Sequence, residues 1–306
     1  MLSFSMPRQA MAGRRTMTGK SASVLAGIVW FASMAASPVH VRSSTSPRAD
    51  LSKTTPLRVR VMDYGTIAAP LTIVFRYTPL VPGAAGQAEI LPGPTWWKLN
   101  ADFRNLPPAS ELGSEYLTYV LWCITPEGRS LNLGEVELTG TGGHLNTKLN
   151  MRRFGLIVTA EPYLAVSQPN KAVVFEADVA PGSGTAVPVA HVTCELLSAP
   201  IGTAAIHADS PHATDPAEPL VIEEARRAIA VARAEGAEEY APGTFSTAER
   251  LLHLAEDQQA RGARRKDIVD TGSEAVFIAE DARVLAVTRR KRARETSAAN
   301  APEGTP

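Results

Sequence analysis

The stretch Tyr116-Leu117-Thr118-Tyr119-Val120-Leu121-Trp122-Cys123-Ile124-Thr125 is apolar on both parities of a strand. Successive strand residues point to opposite faces, so a run without a polar parity reads as a central strand covered on both sides. Its exit, Pro126-Glu127-Gly128, has turn composition, and the following run, 131–138, alternates apolar with polar residues. Together they predict a hairpin. Working outward, short apolar or alternating runs recur at 57–62, 71–77, 96–103, 144–150, 154–160, 171–177 and 190–197, bounded by Gly, Pro, Asn and Asp. Their regular spacing over about 140 residues predicts an antiparallel, immunoglobulin-like β-sandwich at 57–197.

After residue 197 the pattern changes in kind. Residues 198–218 carry Pro200, Pro211 and Pro216 and lead into Pro219, a composition that reads as a Pro-rich linker. Beyond it, Ile222, Ala225, Ile229 and Ala232 recur at three-to-four spacing, as do Phe245, Ala248, Leu252 and Ala255, then Ile268, Gly272, Ala275, Ala279, Ala282 and Ala286. That period predicts an alanine-rich antiparallel three-helix module at 219–291, with helices at 219–235, 243–261 and 264–291 and stops at Gly236 and Gly262. Ser246 to Glu249 has capping-box spacing, and Thr244 is an equally placed cap. Alanine lets helices approach closely but supplies little apolar area, so the module is expected to draw stability from a partner or from self-association. The chain thus reads as a multidomain β + α protein, with a disordered tail at 292–306.

At the N-terminus, Arg14, Arg15 and Lys20 precede an uncharged run through Val24, Leu25, Ile28, Val29, Trp30 and Phe31 to Ala36. A basic segment followed by an apolar one of roughly 15 residues has signal-peptide length and is short for a membrane span. Ser33 and Ala35 have cleavage-site spacing, so residues 1–36 are expected to be removed, with Met17 as an alternative start. Arg14-Arg15 hints at twin-arginine export, and the lack of a cysteine after the apolar run speaks against a lipoprotein. Residues 37–56, rich in Ser, Thr, Pro and Arg, read as a disordered tether. The expected location is the periplasm or cell envelope.

Lys plus Arg and Asp plus Glu each number 31 in 306 residues, of which 44% are hydrophobic. This balance argues against bulk attraction to nucleic acid and leaves only a local exception, Arg289, Arg290, Lys291, Arg292 and Arg294. Those cations complement the negative end of a helix dipole, and they are also candidates for contact with anionic lipid or wall polymer. Cys123 and Cys194 would face an oxidising compartment after export. If bonded they would close a long loop worth about 4 kcal/mol; the alternative is two buried thiols.

The run Ala225 to Pro242, ending Gly236-Ala237-Glu238-Glu239-Tyr240-Ala241-Pro242, and the following Ala248 to Glu256 resemble domain-of-unknown-function family 4398. The resemblance covers roughly residues 219–287. It implies a helical module of bacterial envelope proteins that often stands beside an OmpA-type peptidoglycan-binding domain, with no enzyme activity implied. Little sequence follows the helices, so direct peptidoglycan binding through such a domain is not expected.

Tests for chemistry return little. Gly13 to Lys20 has five residues between its glycines where a phosphate-binding loop has four, and it precedes an apolar export segment instead of following a strand. Thr139 to Gly143 reads as a turn. His207 and His212 fall in the Pro-rich linker, where a metal site would lack a rigid frame, and the other histidines are scattered; no Gly-x-Ser-x-Gly elbow occurs, and Asp102, Glu111 and Glu161 are available as carboxylates without a motif that joins them. Trp96, Trp97, Tyr116, Tyr119 and Trp122 fit a sandwich core, and adjacent Trp96 and Trp97 face opposite ways, which makes one of them a candidate glycan contact. The expectation is an exported, non-enzymatic envelope protein acting through protein contact or self-association of 219–291, with no cofactor. A glycan- or cell-wall-binding module and a hydrolase are the alternatives.

Overall fold

In the computed structural model, β5 (Thr118–Ile124) is buried at every position. Residues 54–65, 67–179, 189–208 and 218–299 are described; the expected signal peptide, the tether as far as residue 53, linker residues 209–217 and tail residues 300–306 lie outside them. Tyr119, Leu121 and Cys123 of β5 enter one core cluster, while Val120, Trp122 and Ile124 enter another. The two-sided apolar run is therefore a strand between two cores, as its parity requires.

The strand ladder around β5 nearly closes on itself. β5 pairs antiparallel with β6 (Ser130–Glu135) on one side and with β9 (Arg153–Glu161) on the other. β6 passes through Val136 into β7 (Glu137–Thr139), which pairs with β8 (Gly142–Leu149). From β8 the ladder runs through β4 (Trp97–Arg104), β3 (Ala85–Pro92), β2 (Leu71–Tyr77) and β10 (Val173–Val179) back to β9. The result is an antiparallel, nearly barrel-shaped sheet of eleven strands, completed by β1 (Thr54–Asp63) and β11 (Val189–Leu197). These two pair along most of their length, and β1 meets β9 through Met62 and Asp63. The interior is filled by alternating side chains, including Phe75, Phe103 and Phe175, and Tyr64 stacks on Phe154 at 4.2 Å.

The helices are α1 (Thr203–Ala208), α2 (Leu220–Ala234), α3 (Ala237–Tyr240), α4 (Pro242–Ala260) and α5 (Arg265–Ala299). Their apolar stripes share one continuous core with the outer side of the barrel wall: Ile222, Ala225, Ile229, Ala248, Ala255, Ala275 and Ala279 pack in the cluster that holds Val120, Trp122 and Ile157. Gly272 of α5 lies so close to α2 that an added Cβ would stand 2.8 Å from Val221 Cγ1.

Several expectations need adjustment. The immunoglobulin-like sandwich is observed only at the coarser level of an antiparallel sheet followed by helices. The run at 131–138 is broken at Val136, whose N–H bonds to Tyr119 O, so its two halves serve different neighbours. β3 was not expected: only Ala88 and Ile90 are fully enclosed, and Gln87 and Glu89 point outward, so the strand lacks an apolar signature. β1 starts at Thr54, inside the stretch read as tether, because Thr54–Pro56 pair with Glu195–Leu197. α1 occupies part of the stretch read as linker, and α5 continues to Ala299, through residues read as tail. Arg, Ala and Glu are good helix formers, so this extension needs no packing partner in its composition. Gly236 and Gly262 do end helical segments with positive φ, 88° and 66°. α4 begins on Pro242, a residue suited to the first turn, and Ser246 donates back to Gly243 O, so neither Ser246 nor Thr244 is the cap.

Gly128 holds the β5–β6 turn at φ 77°, and a Cβ there would lie 2.1 Å from Thr193 O of β11. Gly128→Ala is expected to lower stability by more than the ~1 kcal/mol that left-handed backbone alone costs. Chemical denaturation followed by Trp fluorescence measures it; a loss within that figure would mean the turn and β11 are not in close contact.

Candidate functional site

The most unusual chemistry lies at the seam between barrel wall and helices. Residues 162–172, which join β9 to β10, are buried from Pro162 to Val166. Asn132 ties this segment to β6, its Nδ2 donating to Leu164 O and Val166 O at 2.9 and 3.0 Å. Thr159 and Glu161 share the strand parity of Ile157, which faces the helices, and Glu161 is fully enclosed. Trp122 Nε1 donates to Thr159 Oγ1 at 2.8 Å, and that hydroxyl donates to Glu161 Oε1 at 2.5 Å. Asn170 adds its backbone N–H at 3.0 Å and its Nδ2 at 2.7 Å. These donors favour the carboxylate, yet burial outweighs them and pushes Glu161 up to about 8.

A second carboxylate clasps the segment to α5. Glu280 accepts from Tyr163 OH at 2.8 Å, from Ser167 N–H at 3.0 Å, and from Arg283 through Nε and NH2, both at 2.7 Å. Arg283 also reaches Ser167 Oγ at 3.0 Å. Burial opposes the Arg283 charge, but Glu280 outweighs it and holds the guanidinium above its ordinary range; burial and Glu280 together raise Tyr163. Forked pairing of a guanidinium with a carboxylate is the geometry that best repays the desolvation of both.

A third element joins α2 to the sheet. Glu224 is fully buried, its two oxygens lack a close hydrogen bond, and burial and then Glu135 raise its pKa well above the carboxyl range. The Leu164 N–H and Arg227 pull the other way without reversing the shift. Glu135, which accepts from Thr118 Oγ1 at 2.6 Å, is likewise raised, chiefly by burial. At the rim Arg226 bridges Glu218 and Glu256 at 2.8 and 2.9 Å. The seam thus holds buried acids that burial raises, and one clasped by a guanidinium. Its chemical capacity is proton uptake and the joining of elements distant in sequence.

Residues singled out from the sequence are dispersed. Trp97 points into the barrel, while Trp96 is half-buried outside, its ring against Gly93 and under Lys148 Nζ at 4.8 Å. Cys123 and Cys194 are buried free thiols in different core clusters, each pushed up to about 12, mainly by burial. Asp102 and Glu111 are exposed and Glu161 enclosed, so the three are not gathered. The basic cluster divides. Arg289 donates to Tyr240 O at 2.6 Å, and Arg290 to Glu235 O and Oε2 at 2.9 and 2.6 Å, satisfying carbonyls at the ends of α3 and α2. Lys291, Arg292 and Arg294 are exposed. Among the described residues no group of three or more His, Cys, Asp or Glu could hold a metal, and no helix is long and apolar enough to cross a membrane.

Glu135, Glu224, Glu280, Arg283 and Asn170 were not singled out from the sequence. A signal exists for three of them: Glu224 adjoins the Ala225–Ala228 stripe, and Glu280 and Arg283 are interleaved with Ala279, Ala282 and Ala286, where a solvated charge would not be placed. Compared with protein-family models, curated proteins and solved structures, the chain matches none.

Because the folded chain holds Glu161 and Glu224 above their unfolded values, the stability tied to their protonated forms is fully present below the unfolded pKa. It is lost as pH rises, for Glu161 through about 8. The thermal midpoint is expected to fall between pH of about 5 and about 8.5, and Glu161→Gln and Glu224→Gln are each expected to flatten that fall. Scanning calorimetry across pH checks this; variants that keep the parent slope would show that these acids are not buried as neutral groups.

Proposed function

We propose that this chain is an exported, non-enzymatic cell-envelope protein in which the β-region is a scaffold and the helical face makes protein contacts. One observation carries the reading. The helices bury one stripe against the barrel wall, yet α5 keeps Phe277 44% and Leu285 37% exposed, and α4 keeps Leu254 40% exposed. Large apolar side chains left on the outer side of a helical layer are what a contact surface needs.

Export rests on the basic-then-apolar pattern before residue 36 and on the resemblance of 219–287 to domain-of-unknown-function family 4398. In this reading the antiparallel sheet stands for the immunoglobulin-like sandwich in role, a rigid platform of alternating inward residues, and α2, α4 and α5 form the three-helix module. Cys123 and Cys194 serve as core residues. The exposed end of α5, with Lys291, Arg292 and Arg294, adds attraction for an anionic surface. Trp96 favours a second reading, glycan contact, because its ring stands outside the barrel; the neighbouring Lys148 ammonium restricts the face it offers.

A photo-crosslinking residue placed at Leu254, Phe277 or Leu285 in cells is expected to capture protein, and one placed at Glu89 on the sheet is not. Adducts from Glu89 alone would move the contact to the β-region. Binding to purified wall material that is lost in Trp96→Ala and unchanged in Phe277→Glu would replace this reading with the glycan one.

A further inference from the structure

The exposed side of α5 carries a pattern whose apolar positions are symmetric about its centre and whose ends differ in charge. At 100° per residue, positions 270, 274, 277, 281, 285, 288 and 292 fall within an arc of about 80°, opposite the buried stripe of Ile268, Gly272, Ala275, Ala279, Ala282 and Ala286. Their residues are Asp270, Glu274, Phe277, Asp281, Leu285, Thr288 and Arg292, and all are exposed except Asp281 and Thr288, which are half-exposed. Laid against itself antiparallel about residue 281, the stripe places Phe277 opposite Leu285, Asp270 opposite Arg292 and Glu274 opposite Thr288. Acidic residues precede the apolar pair and a cation follows it, so inversion brings unlike ends together, although Asp270 also pairs with Lys266 of its own chain.

Resting on the reading of the helical layer as a contact surface, we propose that its partner is a second copy of this chain, paired as a two-fold dimer through antiparallel α5 helices. A two-fold interface uses the same patch twice and therefore demands self-complementarity, which this stripe has in both charge and apolar placement. Parallel pairing would set Asp270 against Asp270 and Arg292 against Arg292, and like charges at such positions repel. The stripe spans about 33 Å, long enough for helices crossing at a shallow angle to stay in contact. Asp281 meets its own symmetry mate on the axis, a like-charge contact that the two flanking Asp270–Arg292 pairs must outweigh, and it already has an interaction within its own chain.

The test uses the full chain. Sedimentation is expected to show a dimer that Phe277→Glu and Leu285→Glu each weaken by at least tenfold, with unfolding midpoints kept because both side chains are exposed. Asp270→Lys and Arg292→Glu are each expected to weaken it, and the doubly exchanged chain to recover it. Under oxidation, a Phe277→Cys chain mixed with a Leu285→Cys chain is expected to form a mixed disulfide, while Phe277→Cys alone does not, its symmetry mate being about 12 Å away along the axis. The native thiols are buried and stay silent. Disulfides from Phe277→Cys alone overturn the antiparallel arrangement. A monomer at every concentration overturns self-association; if Phe277 still captures a different protein in cells, the contact reading survives, and if it captures nothing, both fall.

Discussion

Burial of β5 and β9 on both faces is the constraint from which the architecture follows. The barrel fills one side of these strands. On the other side Val120, Trp122, Ile124 and Ile157 are fully enclosed, in a cluster they share with the helical layer, the segment after β9 and the β1–β11 pair. Covering a large apolar side chain is worth about 1.5–3 kcal/mol, so four of them amount to roughly 6–12 kcal/mol, comparable to the whole stability of a typical domain. On this estimate the helices are a wall the barrel needs. A sequence reading that joins the two regions by a linker captures the chain order and misses this dependence.

Covering a wall with a polar connecting segment has a cost, which the seam meets by pairing. The segment after β9 carries backbone donors and acceptors into the interior, where each must be satisfied. Asn132 and Glu280 do so across long sequence separations, and Asn170 does so locally, to Ala160 O. The Glu280–Arg283 clasp also selects one seating of α5: a shift by one helical turn would carry Glu280 about 5.4 Å from Tyr163 and Ser167 and leave a charge buried without its donors. Alanine stripes alone would tolerate such a slip, since one alanine replaces another. The polar groups therefore supply positional specificity that the apolar surface of the helices lacks.

What was legible in the sequence follows from which signals are local. The periods of β5, β2, β9 and of α2, α4 and α5 are local properties, and these elements stand where the residues place them, except that α5 runs on to Ala299. β3 was illegible because Ala85 to Pro92 takes its strand conformation from β2 and β4 on its two sides. Barrel closure was illegible because it depends on Val136 turning one run toward two partners. The seam was hidden for a different reason: Glu161, Glu224 and Glu280 are residue types that normally belong to surfaces, and only tertiary packing encloses them. Trp96 and Trp97 were legible as an inward and outward pair, but the turn at Gly93 that shelters Trp96 was not.

The alanine content of the helices then has two consequences. Small side chains let α2 and α5 approach until Gly272 meets Val221, which gives a close-packed layer of low apolar area. Such a layer buries one stripe of each helix, against its neighbouring helices and the barrel wall together. The opposite stripe of α5 is therefore released from any duty in folding, and its composition is free to answer to something else. A stripe with no role would be expected to carry scattered charges. The one present places Phe277 and Leu285 symmetrically about Asp281, between Asp270 and Glu274 on one side and Arg292 on the other, an order that solvent alone does not require.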